Sequence, residues 1–194
     1  MKTYRSKAAW IAVLVSFAVA AAAAAPDQKP QEPPNTEGEV LRQFQARIDE
    51  YMALHNRLEK ESPPLKPADD PEKIRASQKA LAAKIRAERR NPSQGAIFTP
   101  ETRTVFRRIL RRELQGPRAA ELERAMKDEA TPRIPLRVHA EYPSSLPLAS
   151  VPPGILAVLP KVPDDLAYRF VAYDMILLDV HANLIIDFIK DAIR

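Results

Sequence analysis

The chain has 194 residues, a formal net charge of +5, 19 prolines, four glycines and no cysteine. Without cysteine it forms no disulfide, has no thiol nucleophile and holds no cysteine-ligated metal. It also has no GxGxxG, GxxxxGK[ST] or GxSxG motif, so neither a nucleotide-binding loop nor a nucleophile elbow is predicted.

The first 25 residues have the pattern of a secretory signal peptide. Basic residues precede an apolar run, and an alanine tract that satisfies the A-x-A rule follows it. Cleavage is expected after Ala24. An uncleaved N-terminal anchor is the alternative, because residues 8–25 contain only one polar side chain, Ser16.

Cleavage of the signal peptide would lower the net charge of the chain. The removed segment carries three basic residues and no acidic one, which leaves a charge of +2. This ordinary value gives no support for a nucleic-acid partner. The mature chain of about 170 residues is long enough for one core without disulfides.

Four helices are predicted between the signal peptide and residue 130. Residues 26–36 are polar and rich in proline, which predicts a disordered linker. Apolar residues at 3–4 spacing, and proline at the first helical position after a capping residue, indicate the helices. Their expected bounds are Glu37–Lys60, Pro71 to about Arg90, Pro100–Leu114 and Arg118–Glu129. The first two are expected to pack as an antiparallel hairpin.

The C-terminal stretch Leu166–Ile193 is the richest apolar run of the predicted mature chain and is expected to be central to the core. Its first part alternates with the period of a strand. With Tyr173-Asp174 as a two-residue turn, Ala172 pairs with Met175 and Phe170 with Leu177. Because both faces of this hairpin are apolar, helices are expected to cover one face, and the last helix or the proline-rich segment the other.

After the hairpin the apolar spacing becomes that of a helix. Val180, Leu184 and Phe188 form one i, i+4 row, and Asp179 is placed to cap it. A strand at Asn183–Ile189 is the alternative, because its residues favour β-structure. In the proline-rich segment before the hairpin, Leu136–Tyr142 alternates as a half-buried strand. One helical turn is expected within Val151–Pro160.

The three histidines, His55, His139 and His181, are predicted on a helix, a strand and the C-terminal element, so a folded three-histidine site is conceivable. None is followed by a second histidine or cysteine at i+2, i+3 or i+4, the spacing of many metal motifs. His55 lies on an apolar stripe, where a hydrogen-bonded core histidine is the commoner explanation. No metal or cofactor site is therefore predicted.

Five arginines lie opposite the apolar face of the predicted third helix, in i, i+4 rows. They are Arg103, Arg107, Arg108, Arg111 and Arg112. Such a row is a candidate for binding anionic ligands, among them lipid headgroups, lipopolysaccharide phosphate or acidic glycan. The alternative is a solvated face that neighbouring glutamates neutralise.

Acidic pairs give no catalytic prediction. Asp69-Asp70 and Asp164-Asp165 adjoin a predicted helix and a predicted strand, as capping and turn residues do. A glycosidase needs two carboxylates across a cleft, which spacing along the chain does not reveal. No serine or threonine stands in a nucleophile motif, and no catalytic residue is predicted.

The run YRFVAYDMILLDVHANLIIDFI, together with the upstream loop QGAIFTPE, resembles a family of exported bacterial proteins. Members of that family have a signal peptide, a helical N-terminal half and this ending. The resemblance implies export and a single domain. It implies no catalytic residue, because the family has no assigned activity.

We therefore expect an α+β domain over residues 37–194: a helical hairpin and a third helix packed on a small antiparallel sheet, with a C-terminal helix. The leading functional hypothesis is a non-catalytic binding or interaction module, periplasmic or secreted, whose partner is an envelope protein or an anionic envelope component. One alternative is a periplasmic hydrolase that uses carboxylate or histidine chemistry. Another is a peripheral membrane protein that binds anionic surfaces through the arginines of Arg103–Arg112.

Overall fold

A computed structural model of the chain describes residues 36–62, 70–117, 119–128, 132–147 and 151–194. The predicted signal peptide, and the linker up to residue 35, lie outside the described residues. The described part falls into one compact unit and confirms the α+β class. Its elements are α1 (Glu37–Lys60), α2 (Pro71–Glu88), α3 (Pro100–Leu114), α4 (Ala119–Asp128), α5 (Pro153–Leu156), β1 (Leu166–Val171), β2 (Asp174–Asp179) and β3 (Leu184–Ile189).

Local capping chemistry sets the starts of α2 and α3. The Asp70 carboxylate accepts the backbone N–H of Glu72 at 3.1 Å, and Thr99 Oγ1 accepts that of Thr102 at 3.3 Å. A proline occupies the first position of each helix, where no intrahelical N–H is needed. Both predicted starts are confirmed, as is the full extent of α1.

The α1–α2 pair runs antiparallel, as predicted. Lys84 Nζ donates to the carbonyl of Glu61 at 2.7 Å, whereas Arg57 pairs with Glu88 at 3.5 Å. Residues nearer the C-terminal end of α1 therefore contact residues nearer the N-terminal end of α2. This pair and α3 form the helical layer on which the sheet packs.

The sheet is an antiparallel meander in the order β1-β2-β3. The observed partner of Met175 is Phe170, and the turn residues are Ala172 and Tyr173, so the predicted Tyr173-Asp174 turn is wrong. Ala172 takes a left-handed φ of 53°, while the buried Asp174 carboxylate accepts the N–H of Asp191 at 2.7 Å. The predicted partner of Met175 is Ala172, two residues from Phe170. Because side chains alternate along a strand, a shift of two residues leaves the strand side chains on their predicted faces.

The predicted C-terminal helix is wrong, and the alternative strand is right. All six residues of β3 are buried, because the sheet is covered on both sides. A strand buried on both faces loses its polar–apolar alternation, and its apolar residues then also satisfy a helical stripe. Asp179 caps a turn instead of a helix, by accepting the N–H of Ala182 at 2.7 Å, and Asn183 turns the chain with a φ of 50°.

The second face of the sheet is covered by the segment 132–147, as expected for the proline-rich part of the chain. Val171, Ile176 and Phe188 pack there against Tyr142 and its neighbours. The predicted strand Leu136–Tyr142 is wrong: the segment makes one isolated bridge, from Glu141 to Leu184. The reason is local, since His139 takes a φ of 64°, which no extended strand accommodates. The expected helical turn within Val151–Pro160 is confirmed by α5.

A buried carboxylate fastens the loop between α2 and α3 to the sheet. Asp187, on β3, is fully buried and accepts the backbone N–H groups of Gly95 at 3.0 Å, Ile97 at 2.8 Å and Phe98 at 2.8 Å. Gly95 has a φ of 92°, which glycine adopts without strain. Together with the N–H of Phe188, which donates to the same carboxylate at 2.8 Å, these donors satisfy a charge that would otherwise be costly to bury.

This arrangement predicts a large loss of stability for Asp187→Ala. Each buried N–H left without an acceptor costs about 1–3 kcal/mol, so the three loop N–H groups together cost about 3–9 kcal/mol. At about 2–4 °C per kcal/mol, the melting temperature should fall by at least about 6 °C in a domain of this size. Thermal unfolding followed by circular dichroism measures the change. Asp164→Ala, at an exposed position, is the matched control. A loss for Asp187→Ala no greater than that of the control would contradict the prediction.

Candidate functional site

The buried carboxylate of Asp179, at the end of β2, joins the sheet to α1. Its Oδ2 accepts the hydroxyl of Tyr51 at 2.6 Å and lies 2.7 Å from Nδ1 of His55. Its Oδ1 accepts the N–H of Ala182. Tyr51 and His55 are four residues apart on α1, and this spacing puts both side chains on the helix face that meets the sheet.

His55 has one ring nitrogen engaged and one available. Nδ1 contacts Asp179, which fixes the orientation of the ring. Nε2 makes no hydrogen bond within the described residues, although the side chain is 0% exposed. Oε2 of Glu59 lies 3.6 Å from it, beyond hydrogen-bond distance. A buried polar atom without a partner is unfavourable, so this nitrogen is a candidate for binding a ligand.

His181, in the turn between β2 and β3, lies beside the His55 ring. Its Nδ1 is 2.7 Å from Oε1 of Glu59 and 3.4 Å from Oδ1 of Asp165, and its ring centroid is 5.8 Å from that of His55. The turn is held in place because Val180 donates its N–H to the carbonyl of Asp165 at 2.9 Å. We call His55, Glu59, Asp165 and His181 the histidine cluster.

The histidine cluster extends from the core to the surface. His55 is fully buried, whereas the side chains of Glu59 and His181 are 40% and 41% exposed. One ligand atom each from His55, Asp165 and His181 lies within 4.8 Å of the others. Two imidazoles and a carboxylate thus converge on one small volume at the boundary between the core and the surface.

Electrostatics favour a positive charge at the histidine cluster. Burial lowers the pKa of His55, but the hydrogen bond and charge of Asp179, with the charges of Glu59 and Asp165, outweigh burial and raise the pKa above its usual range. For His139, burial and the nearby charges of Arg89 and Arg86 act together and lower the pKa to about 4.

Two of the three histidines come together, and the third does not. His139 lies on the segment over the other face of the sheet, where its N–H donates to the carbonyl of Ile185 at 2.7 Å. The interpretation of His55 as a hydrogen-bonded core histidine is confirmed. Asp179 and Asp165, which the sequence pattern assigned to a helix cap and a turn, are the carboxylates that flank the two rings.

A sequence signal for the histidine cluster does exist. Tyr51 and His55 interrupt the apolar stripe of α1 at i, i+4 spacing, and buried side chains of both types need polar partners. Glu59 follows His55 after one further turn, which gives a histidine and a carboxylate on one helix face. What the sequence does not show is that Asp165 and His181, more than 100 residues later, meet them.

The five arginines of α3 differ in their contacts. Arg107 donates to the carbonyl of Lys190 at 2.7 Å, and Arg108 pairs with Glu37 at 3.1 Å. Arg111 and Arg112 are exposed, and Arg103 is half-buried. Two of the five predicted anion-binding side chains therefore already bind groups of the protein itself. Anion binding by this helix stays a prediction.

Comparisons with known proteins add no assignment. No protein-family model matches the chain, and no significant match was found among curated proteins or solved structures. The resemblance of the C-terminal run to exported bacterial proteins therefore stays a prediction.

The surroundings of His55 and His139 shift their pKa values in opposite directions. His55 should titrate above about 6.5, the ordinary histidine value, and His139 near 4. Because the pKa of His55 is higher in the folded state, its contribution to the free energy of unfolding is complete below about pH 6.5 and is lost as the pH rises through the folded pKa. NMR titration of the imidazole signals measures both values.

Asp179→Asn should lower the pKa of His55, because it removes the adjacent negative charge, whereas Asp164→Asn should leave that pKa unchanged. A wild-type His55 that titrates below 6.5 would show that burial outweighs the carboxylates.

Proposed function

We propose that the chain is an exported envelope protein that works as a non-catalytic binding module and holds a divalent transition-metal ion at the histidine cluster. The observation that carries this proposal is the buried Nε2 of His55, which has no hydrogen-bond partner among the described residues, on a ring whose orientation Asp179 fixes through Nδ1. An imidazole that contacts a carboxylate through one nitrogen and leaves the other available is the arrangement of metal-bound histidines, since the carboxylate fixes the ring and increases its basicity.

The spacing of the ligand atoms supports the proposal. Bonds of about 2.0–2.1 Å in tetrahedral geometry place ligand atoms about 3.3 Å apart. The ligand atoms of His55, Asp165 and His181 lie within 4.8 Å of one another, so each moves inward by about 1 Å or less to reach that geometry. Asp165 and His181 are partly exposed, whereas His55 is fully buried, so most of this adjustment falls to the first two side chains.

Ligand chemistry narrows the class of ion. Imidazole nitrogen with carboxylate oxygen suits zinc, nickel or cobalt, and the absence of thiolates disfavours ions that prefer sulfur. With both imidazoles neutral, Glu59 and Asp165 together balance the charge of a divalent ion. Glu59 lies 2.7 Å from His181 and 3.6 Å from His55, near enough to bind the ion directly or through water.

A competing account needs no metal. Protonated His55 and His181 would form ion pairs with the surrounding carboxylates, in keeping with the raised pKa of His55. Metal and proton compete for the same nitrogen, so metal affinity must increase as the pH rises through that pKa. A pH-dependent affinity with this sign separates the two accounts.

Catalysis is favoured less than binding. The His55–Asp179 pair also has the orientation of a catalytic base and its supporting acid. However, the His55 ring is fully buried, and no serine or threonine hydroxyl in the described ranges bonds to its Nε2. A base needs access to the proton that it removes.

The proposal predicts stoichiometric Zn²⁺ binding by the mature protein, measured by isothermal titration calorimetry at pH 7.5. His181→Ala and Asp165→Asn should each weaken binding at least tenfold, since they remove ligands. Asp179→Asn should weaken it about 10- to 100-fold through the orientation of His55. Asp164→Asn, a change of the neighbouring exposed acid, is the control. No saturable binding, or equal losses in the Asp164 and Asp165 variants, would contradict the proposal.

Export is proposed on the residue pattern of the first 25 positions, which lie outside the described residues. Among the helices of the described part, none is long and apolar enough to cross a membrane. N-terminal sequencing should find a mature chain that begins near Ala25 in the periplasmic or secreted fraction. Protein that begins at Met1 and stays in the membrane fraction would instead indicate the uncleaved anchor.

A further inference from the structure

A cleft of about 590 Å³ lies between α3, α4, the β1–β2 turn and the residues after β3. Its apolar lining includes Leu114, Met126 and Ile193, which pack against the core but are only partly buried. Tyr173, 47% exposed at the tip of the hairpin, extends this lining to the surface. The volume lies in the range of pockets that bind small organic ligands.

Cations surround this apolar lining. Arg111 of α3, Lys127 of α4 and Arg194 line the cleft together with one acid, Glu123. Arg194 pairs with Asp191 at 3.4 Å and lies 4.4 Å from the centroid of the Tyr173 ring. Within the described ranges, the side chains of Arg111 and Lys127 make no hydrogen bond or ion pair. Two available cations therefore lie beside an apolar surface that is continuous with the core.

We propose that this cleft binds a long-chain fatty acid, with the acyl chain on Leu114, Met126 and Ile193 and the carboxylate between Arg111 and Lys127. The apolar lining suits an acyl chain, because contact between them removes apolar surface from water. The two cations suit a carboxylate headgroup, since charge-assisted hydrogen bonds to a carboxylate are stronger than hydrogen bonds between neutral groups. This site is separate from the histidine cluster and does not depend on metal binding.

The other arginines of the same helix separate this proposal from general attraction to anionic surfaces. Arg107 and Arg108 already bind Lys190 and Glu37, and neither lines the cleft. If the headgroup binds at the cleft, Arg111 is essential and Arg108 is not. If the whole helix face attracts anions, the two arginines contribute alike.

The test is displacement of a fluorescent fatty-acid analogue, 11-(dansylamino)undecanoate, from the mature protein by oleate. We expect one saturable site, oleate at least tenfold tighter than oleyl alcohol, and at least tenfold weaker oleate binding in Arg111→Gln/Lys127→Gln. Met126→Asp, which places a negative charge in the apolar lining, should abolish binding. Arg108→Gln is the matched control and should bind oleate like the wild type. Unchanged melting temperatures show that the variants are folded.

Three results would overturn the proposal. Oleyl alcohol that binds as tightly as oleate would show that the cations take no part. Equal weakening in Arg108→Gln, with sedimentation on anionic vesicles, would favour a charged surface instead of a cleft. No displacement at all, with a dimer that Met126→Asp dissociates, would show that a second copy of the chain covers the cleft. Oleate affinity that is unchanged in His181→Ala keeps this test independent of the proposed metal site.

Discussion

The charge of Asp179 is the constraint on which the arrangement of the helices and the sheet depends. A carboxylate at the end of the central strand is buried at large cost unless donors surround it. Tyr51 and His55 of α1 and the backbone N–H of Ala182 supply those donors. Their bonds set the position of α1 against β2 and the form of the β2–β3 turn. They also engage Nδ1 of His55, which leaves Nε2 as the nitrogen directed toward Glu59.

A second buried acid, on the neighbouring strand, shows why Asp179 is the one that we associate with the proposed metal site. Asp187 is bound only by backbone N–H groups, and these have no further capacity to bind a ligand. Asp179 is bound by an imidazole, whose other nitrogen is available. Both acids fasten a neighbouring segment to the sheet, but only Asp179 also orients a ring whose second nitrogen has no hydrogen-bond partner among the described residues.

Local chemistry in the sequence predicts the helices well, because capping residues and N-terminal prolines act over a few positions. Asp70 and Thr99 mark the starts of α2 and α3 without tertiary information. The C-terminal strand is only the alternative prediction, behind a helix, because burial of both faces removes its alternation. The histidine cluster joins residues far apart in the chain. The pair Tyr51 and His55, polar side chains on a buried stripe, indicates from the sequence that polar partners must meet this face of α1.

X-ray absorption spectroscopy of the Zn²⁺-loaded mature protein is the sharpest test of metal binding at the histidine cluster, because it identifies the ligands of the ion. We expect two imidazole nitrogens at about 2.0–2.1 Å with oxygen ligands in the wild type. One imidazole should remain in His181→Ala, and one in His55→Gln. A zinc environment without imidazole, or one that stays the same in both variants, would contradict the proposal that Asp179 orients His55 to bind a metal ion.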